Sequence, residues 1–175
     1  MTVSTSRRLI VLRHAKSAWP DVNDFERPLA PRGRRDGPAA GHWLRDSAYL
    51  PDHVICSPAR RTRETWDLVV QELDATPPVS YDERVYGAGV NTLLDIVCEV
   101  PAEVETLLLI GHNPGLQELT LALAGEASGD ALERALEKFP TSAIAVLTFA
   151  GSWPELAPAS ALLADFVIPR GKKKF

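Results

Sequence analysis

Three short apolar segments, each followed directly by polar residues and a helix start, constrain the fold of this chain more than any other feature. Leu9-Ile10-Val11-Leu12 leads into Arg13-His14, residues 53–56 lead into Ser57-Pro58, and residues 107–110 lead into Gly111-His112-Asn113-Pro114. Apolar runs of this length predict buried strands. Because open α/β sheets bind ligands at the carboxyl ends of their strands, we expect the polar residues to meet in one site.

The rest of the chain continues this alternation of strands and helices. Strands are expected near residues 9–13, 53–56, 79–81, 106–111, 143–149 and 162–168, and helices near 33–46, 58–73, 91–100, 114–124 and 131–138. This pattern predicts a single α/β domain over residues 1–175, a three-layer α/β/α sandwich around a mostly parallel sheet. Residues 125–129 are expected to form a flexible connection, and residues 170–175 a solvated basic tail.

Composition excludes several classes of protein. The net charge of −4 argues against general binding to nucleic acid or to a membrane surface. No apolar stretch approaches the roughly 20 residues that span a bilayer, and the short polar N-terminus does not resemble a signal sequence. We therefore expect a cytoplasmic protein. Cys56 and Cys98 are expected to be core thiols in a reducing compartment.

Two of the predicted helix starts are suited to bind an anion. Ser57-Pro58 and Asn113-Pro114 combine a capping side chain with a proline that favours the first helical turn. Free N–H groups and the helix dipole attract negative charge there. Arginines in the first turns of a helix oppose that dipole unless an anion lies between them. We expect Arg61 to point inward and bind phosphate oxygens.

His14 and His112 each follow a strand, which favours a functional pair over two unrelated buried histidines. A metal site is not expected, because the spacing of a zinc site is missing. Other phosphate chemistries lack their motifs: the residue six positions after Cys56 is Thr62 rather than arginine, and no aspartyl-phosphate or nucleotide-binding motif occurs. A histidine nucleophile remains.

These residues resemble the histidine phosphatase superfamily, which has the phosphoglycerate-mutase-like fold. The resemblance is carried, in this order, by Arg13-His14-Ala15, Glu26-Arg27-Pro28-Leu29, Ser57-Pro58-x-x-Arg61-x-x-x-Thr65 and Gly111-His112-Asn113-Pro114. The short length, the Glu-Arg-Pro-Leu segment and the C-terminal region resemble its SixA-type phosphohistidine phosphatases.

The resemblance implies that His14 attacks phosphorus and forms a phosphohistidine intermediate, while Arg13, Arg61 and His112 hold the phosphoryl group. It further implies that the backbone around Asn113 helps to orient His112 and that no cofactor or metal is required. Expected partners are a protein carrying phosphohistidine or a small phosphoester, with no nucleic acid and no membrane. Lys16 and Ser17 follow His14 closely, and their position alone makes them candidates for contact with substrate.

The general acid and the substrate stay open at this stage. Residues 82–87 resemble the segment that supplies the acid in the mutase branch, which indicates Glu83; the alternative is that Glu83 pairs with Arg84 or with another neighbour on the surface. A phosphoester needs such an acid more than a phosphohistidine does. Three interpretations therefore remain: a protein phosphohistidine phosphatase, a small-molecule phosphomonoesterase, and a catalytically silent module that binds phosphoproteins.

Overall fold

A computed structural model describes residues 6–173 of the chain. Its strands are β1 (Ser6–Arg13), β2 (His53–Cys56), β3 (Val79–Tyr81), β4 (Thr106–Gly111), β5 (Ala124–Ala127), β6 (Ile144–Ala150) and β7 (Ala161–Val167). Its α-helices are α1 (Pro31–Asp46), α2 (Arg60–Val70), α3 (Val90–Cys98), α4 (Gly115–Leu123) and α5 (Ala131–Glu137). Short 3-10 helices cover Asp24–Glu26, Glu83–Val85 and Trp153–Glu155.

These seven strands form one sheet in the order β3-β2-β4-β1-β6-β7-β5. Of the strands in the described part of the chain, only β6 runs antiparallel to its neighbours, so the prediction of a mostly parallel sheet is confirmed. β1 and β4 lie side by side at the centre, and their register pairs Arg13 with Gly111. Because these two strands are parallel, the residues that follow them emerge next to each other at the same edge.

Helices cover both faces of the sheet, as the side-chain alternation of β1 shows. Leu9 and Val11 pack on the face covered by α3, α4 and α5, whereas Ile10 and Leu12 pack on the face covered by α1 and α2. All four side chains are fully buried. Successive residues of a strand point to opposite faces, and a strand that is apolar on both faces requires a layer on each. The predicted three-layer α/β/α sandwich is therefore confirmed.

Helix α1 lies unusually close to its neighbours because glycines face them. A Cβ at Gly33 would lie 2.1 Å from the Lys16 carbonyl oxygen, and a Cβ at Gly41 would lie 2.6 Å from the Val69 carbonyl oxygen. The close contact at Gly33 places the start of α1 directly against the loop that follows β1. The close contact at Gly41 lets α1 and α2 share one layer above the sheet.

Two predictions of secondary structure were wrong, and the prediction of a solvated tail holds only in part. Residues 125–129, expected to be a flexible connection, largely belong to the edge strand β5, which pairs with β7. Helix α2 begins at Arg60 and ends at Val70, so neither Ser57 nor Pro58 lies in its first turn. The tail is not simply solvated, because the Arg170 guanidinium and the Gly171 N–H both donate hydrogen bonds to Asp36 of α1. Residues 174–175 of the predicted tail lie outside the described residues.

The two cysteines differ in their surroundings. Cys56 is a fully buried thiol at the end of β2, as predicted, and its burial raises the pKa of the thiol. Cys98 is only partly buried at the end of α3.

Across residues 6–173, no helix combines the length and the apolar character that a membrane crossing needs.

Candidate active site

The ends of β1 and β4 bring the two predicted histidines together. Because Arg13 pairs with Gly111 in the sheet, His14 and His112 are the next residues on neighbouring strands. The His14 N–H donates a hydrogen bond to the Gly111 carbonyl oxygen at 3.1 Å. The two imidazole rings lie with their centroids 5.3 Å apart. The parallel sheet thus converts two distant motifs into one site.

The rings border an open cavity of about 240 Å³. Ten of the described residues line it: Arg13, His14, Lys16, Ser17, Trp19, Arg27, Arg61, His112, Asn113 and Thr141. Of the eight residues predicted for the site, the cavity brings together seven. These lining residues carry cationic, imidazole and neutral side chains but no carboxylate, so a cavity of this composition favours an anion.

The His14 imidazole is held as a neutral group with one defined tautomer. Its Nδ1 lies 2.7 Å from the carbonyl oxygen of Ala15. A carbonyl oxygen only accepts, so Nδ1 carries the proton and donates it. Burial lowers the pKa of His14 to about 3, and the charges of His112, Arg61 and Arg13 act in the same direction. The other ring nitrogen, Nε2, therefore keeps its lone pair at neutral pH, which is the state that a nucleophile requires.

Arg13 and Arg61 supply two cations beside the imidazoles. Arg13 Nη1 donates to the Phe139 carbonyl oxygen at 3.0 Å. Burial lowers the pKa of Arg13, and the like charge of Arg61, which repels that of Arg13, lowers it further. The Nε atoms of both arginines are buried and have no hydrogen-bond partner within residues 6–173. A bound anion would offset this repulsion.

Arg61 is held in place by Asp24 from the loop after β1. Its Nη1 donates to the Asp24 carbonyl oxygen at 2.7 Å, and its Nη2 donates to Asp24 Oδ2 at 3.0 Å. The Tyr86 hydroxyl donates to Asp24 Oδ2 at 2.5 Å, and Arg27 Nη1 donates to Asp24 Oδ1 at 3.0 Å. These hydrogen bonds hold the pKa of Asp24 well below its usual range, and the one from Tyr86 has the largest effect. The ionised Asp24 carboxylate therefore connects three side chains around the site.

His112 is fixed from two sides. Its Nε2 lies 2.7 Å from the Ser57 hydroxyl, and the Tyr86 ring meets the imidazole edge to face at 5.5 Å. Burial, followed by the charge of Arg61, lowers the pKa of His112 to about 4. The Ser57 side chain, predicted to cap α2, thus binds His112 instead.

The Thr65 hydroxyl links the loop after His14 to helix α2. It accepts a hydrogen bond from the Ala15 N–H at 3.0 Å and donates one to the Arg61 carbonyl oxygen at 2.7 Å. Thr65 is fully buried, so neither bond competes with water. This hydroxyl explains why a threonine at this spacing accompanies the arginine motif.

The other three predicted contact residues have different surroundings. Lys16 is exposed at the rim. The Ser17 hydroxyl accepts a hydrogen bond from Arg27 Nη2 at 2.6 Å. Asn113 uses its side chain for the backbone, donating from Nδ2 to the Phe139 carbonyl oxygen and accepting the Gln117 N–H at Oδ1. Lys16 is the freest of the three to reach a ligand.

Glu83 is the one predicted site residue that the structure does not bring into the cavity. Its side chain is exposed in the 3-10 helix Glu83–Val85, and it is not among the lining residues. The predicted surface alternative, an ion pair with Arg84 or another neighbour, does not form within residues 6–173 either; Arg84 pairs with Asp82 and Glu99. Glu83 therefore has no position from which it reaches the reacting atoms in this conformation.

Sequence reasoning missed the roles of Asp24 and Arg27. The Arg27 guanidinium is buried beneath the exposed Trp19 ring, with its central carbon 3.3 Å from the ring centroid. It donates hydrogen bonds to the side chains of Ser17 and Asp24 and to the Ala18 carbonyl oxygen. The available signal was an Asp and an Arg three positions apart in the loop that directly follows His14.

The comparisons with known proteins agree with this geometry. The model of the histidine phosphatase superfamily (branch 1) matches residues 9–87. A Mycobacterium tuberculosis protein without an assigned function is 46% identical over 162 residues, which cover 91% of this chain and 100% of that protein. A structure from Nakamurella multipartitia, provisionally named phosphohistidine phosphatase SixA, has a TM-score of 0.85 and 34% identity, covering 95% of this chain and 98% of its own.

A more distant structure shows the breadth of the fold. The phosphoglycerate mutase of Plasmodium falciparum is 17% identical, with a TM-score of 0.62 over 97% of this chain and 95% of its own. At that identity the similarity concerns the fold alone, which is phosphoglycerate-mutase-like. Together with the matched motifs, these findings show that the chain belongs to the histidine phosphatase superfamily and is a phosphatase of SixA-like structure.

Proposed function

We propose that this phosphatase removes the phosphoryl group from phosphohistidine on proteins, with His14 as the nucleophile. The observation that carries the proposal is the state of the His14 imidazole. Its Nδ1 donates to the Ala15 carbonyl oxygen, and its low pKa of about 3 leaves Nε2 unprotonated beside two arginines. An activated nitrogen nucleophile next to fixed positive charge is the arrangement that phosphoryl transfer to histidine needs.

In the first step, the Nε2 lone pair attacks phosphorus and the phosphorus–nitrogen bond of the substrate breaks. A substrate imidazole with a proton on its other ring nitrogen leaves as neutral imidazole, so this step requires no acid from the enzyme. His14 is then a phosphohistidine with its proton still on Nδ1. Water attacks phosphorus next, the Nε2–phosphorus bond breaks, and dihydrogen phosphate leaves with both protons of the water.

Arg13, Arg61 and His112 bind the phosphoryl oxygens in this mechanism. Most catalysis of phosphoryl transfer comes from positioning and from stabilising charge on the equatorial oxygens. The hydrogen bonds from Arg61 to Asp24 and from Arg13 to Phe139 hold the two guanidinium groups beside His14 before substrate binds. Lys16 on the exposed rim adds a cation that reaches the substrate beyond its phosphoryl group.

The substrate class is inferred from the missing acid and from the named relatives. An alkoxide leaving group requires a proton donor, but none of the described residues that line the cavity is a carboxylate, and Glu83 is exposed outside it. An imidazole leaving group does not require one. The SixA name of the similar Nakamurella multipartitia structure supports phosphohistidine as well.

The test measures turnover of a phosphohistidine protein and of glycerol 2-phosphate, an ester with an alkoxide leaving group, without added metal, by wild type, His14→Ala and Glu83→Gln. We expect wild type to cleave phosphohistidine, His14→Ala to be inactive and Glu83→Gln to match wild type. The intermediate is tested separately, by brief reaction with radiolabelled substrate and a quench in alkali, in which phosphohistidine survives. Wild type is expected to carry label and His14→Ala none.

Other outcomes separate the alternatives. Preference for the ester, with loss of activity in Glu83→Gln, would identify a phosphomonoesterase whose Glu83 moves into the site. Binding of phosphate without any turnover would identify a silent phosphoprotein-binding module. Either result would refute the proposed function.

A further inference from the structure

A basic surface lies next to the active-site cavity, where the start of α1 meets the C-terminal segment. We call it the α1/C-terminal surface, and among residues 6–173 it carries six cationic residues: Arg32, Arg34, Arg35, Arg170, Lys172 and Lys173. The chain as a whole has a net charge of −4, so this concentration of positive charge is local. The catalytic mechanism uses none of these residues.

A single buried carboxylate holds this surface together. Asp36 is 1% exposed, and it accepts hydrogen bonds from Arg170 Nη1 at 3.2 Å, from the Gly171 N–H at 3.0 Å and from Arg32 Nε at 3.3 Å. A Cβ at Gly171 would lie 2.2 Å from the Arg35 carbonyl oxygen, so the C-terminal backbone lies directly on α1. Lys172 and Lys173 are thereby held beside the helix.

The result is a groove of about 520 Å³ whose described lining, Arg34, Arg35, Pro38, Gly171, Lys172 and Lys173, includes no carboxylate. Arg34 also borders a neighbouring depression that contains Glu64 and Asp67. Within residues 6–173, by contrast, no carboxylate forms an ion pair with Arg35, Lys172 or Lys173. Their charge is therefore available to a partner.

Thr141 connects this surface to the active site. It lines the cavity of His14, and it also accepts hydrogen bonds from Arg170 Nη1 at its carbonyl oxygen, 2.9 Å, and from Arg32 Nη2 at its hydroxyl, 3.4 Å. A protein large enough to extend beyond the cavity, with its phosphoryl group at His14, has to cover the adjoining rim. The basic surface lies on that rim.

We propose that the α1/C-terminal surface docks an acidic region of the phosphorylated protein, next to its phosphohistidine. This inference rests on the proposed function and specifies the chemistry of the partner. A protein surface is favoured over a free polyanion because the groove adjoins a site built for one phosphoryl group. Complementary charge beside an active site raises the rate of productive encounter and selects among substrates.

The test compares three substrates: free phosphohistidine, a phosphohistidine peptide flanked by Asp and Glu, and the same peptide flanked by Asn and Gln. The variant is Lys172→Gln/Lys173→Gln. The control is Arg45→Gln/Arg84→Gln, which removes the same charge elsewhere; Arg45 lies ten residues from Arg35, about 15 Å along α1. All proteins are assayed for kcat/KM at 0.05 and 0.3 M NaCl.

We expect wild type and control to prefer the acidic peptide by about 5- to 10-fold at low salt, since two rim charges each contribute a small, screened attraction. The preference is expected to fall towards 1 at high salt and in Lys172→Gln/Lys173→Gln. Turnover of free phosphohistidine is expected to be the same in all three proteins, which shows that the site itself is intact.

Four results would overturn the proposal. Turnover of free phosphohistidine without any acidic preference in wild type would remove the docking role and leave the proposed function standing. A preference for the acidic peptide that survives in Lys172→Gln/Lys173→Gln would have the same two consequences. Inhibition by duplex DNA or by anionic vesicles at lower concentrations than by an unphosphorylated acidic peptide would assign the surface to a different partner. Failure to cleave any phosphohistidine would refute the proposed function, and the docking inference with it.

Discussion

Replacing Asp24 by asparagine tests whether this carboxylate organises the active site. The Asp24 side chain is 51% exposed, but the side chains of Arg61 and Arg27 that bind it are only 8% and 9% exposed. The amide would keep the size and one acceptor oxygen, lose the negative charge, and leave two buried guanidinium groups without their counter-ion. The backbone hydrogen bond from Arg61 Nη1 to the carbonyl oxygen at position 24 would remain.

The magnitude follows from the contacts. The carboxylate accepts three side-chain hydrogen bonds, from Arg61, Arg27 and Tyr86. Exposed ion pairs contribute about 0.2–1 kcal/mol each, and hydrogen bonds to buried charged groups about 1.5–3 kcal/mol. Because Asp24 is half exposed, solvent screening places each contact near the lower range. We expect Asp24→Asn to lower the free energy of unfolding by about 1–2 kcal/mol, and Tm by about 3–6 °C.

Urea unfolding at pH 7, followed by circular dichroism, measures this difference. Asp21→Asn is the control, because Asp21 is exposed in the same loop and its side chain has no ion pair within the described residues; it is expected to change stability by less than about 0.5 kcal/mol. The pKa of Asp24 is depressed in the folded state, so its contribution is present above the ordinary value near 3.9 and is lost as the pH falls further. Equal stability of Asp24→Asn and wild type at pH 7 would refute this account.

Two further predictions concern pH and packing. The pKa values of His14 and His112 are lowered to about 3 and about 4, below the unfolded value near 6.5. As the pH falls, these histidines therefore bind protons in the unfolded chain before they do so in the folded protein. We expect the free energy of unfolding to fall between about pH 6.5 and pH 4, and to fall less steeply in His14→Gln than in wild type. The same dependence on pH in both proteins would contradict this. Gly33→Ala places a methyl group 2.1 Å from the Lys16 carbonyl oxygen and is expected to cost about 1–3 kcal/mol in urea unfolding, whereas Gly89→Ala, with nothing within 4 Å, should cost less.

The layers of the fold were predictable because the central strands have a strong local signal. β1 and β4 are apolar on both faces, and that pattern alone requires helices on both sides of a parallel sheet. β5 was not predictable in this way. Its residues, Ala124-Gly125-Glu126-Ala127, include neither β-branched nor aromatic side chains, and pairing with β7 rather than intrinsic preference makes it a strand.

The candidate site likewise has one part that the sequence predicts and one part that it does not. His14, His112, Arg13 and Arg61 lie at strand ends or begin a helix, so the topology alone places them together. Asp24 reaches Arg61 only because the loop after β1 folds back on itself. A bridge between Ser17 and Leu29 closes that loop, and Arg27 Nε donates to the Ala18 carbonyl oxygen inside it. Such loop conformations depend on tertiary contacts that no sequence periodicity records.

The same charges prepare the nucleophile and attract its target. Arg13 and Arg61 add to burial in lowering the pKa of His14, and so they keep Nε2 unprotonated before substrate arrives. On the proposed mechanism, these two guanidinium groups also bind the phosphoryl oxygens. The incoming dianion then offsets the positive charge around the imidazoles, which favours the positive charge that develops on His14 as its bond to phosphorus forms. A neutral histidine among arginines is thus unfavourable to protonate when the site is empty, yet well suited to become cationic once a phosphoryl group is bound.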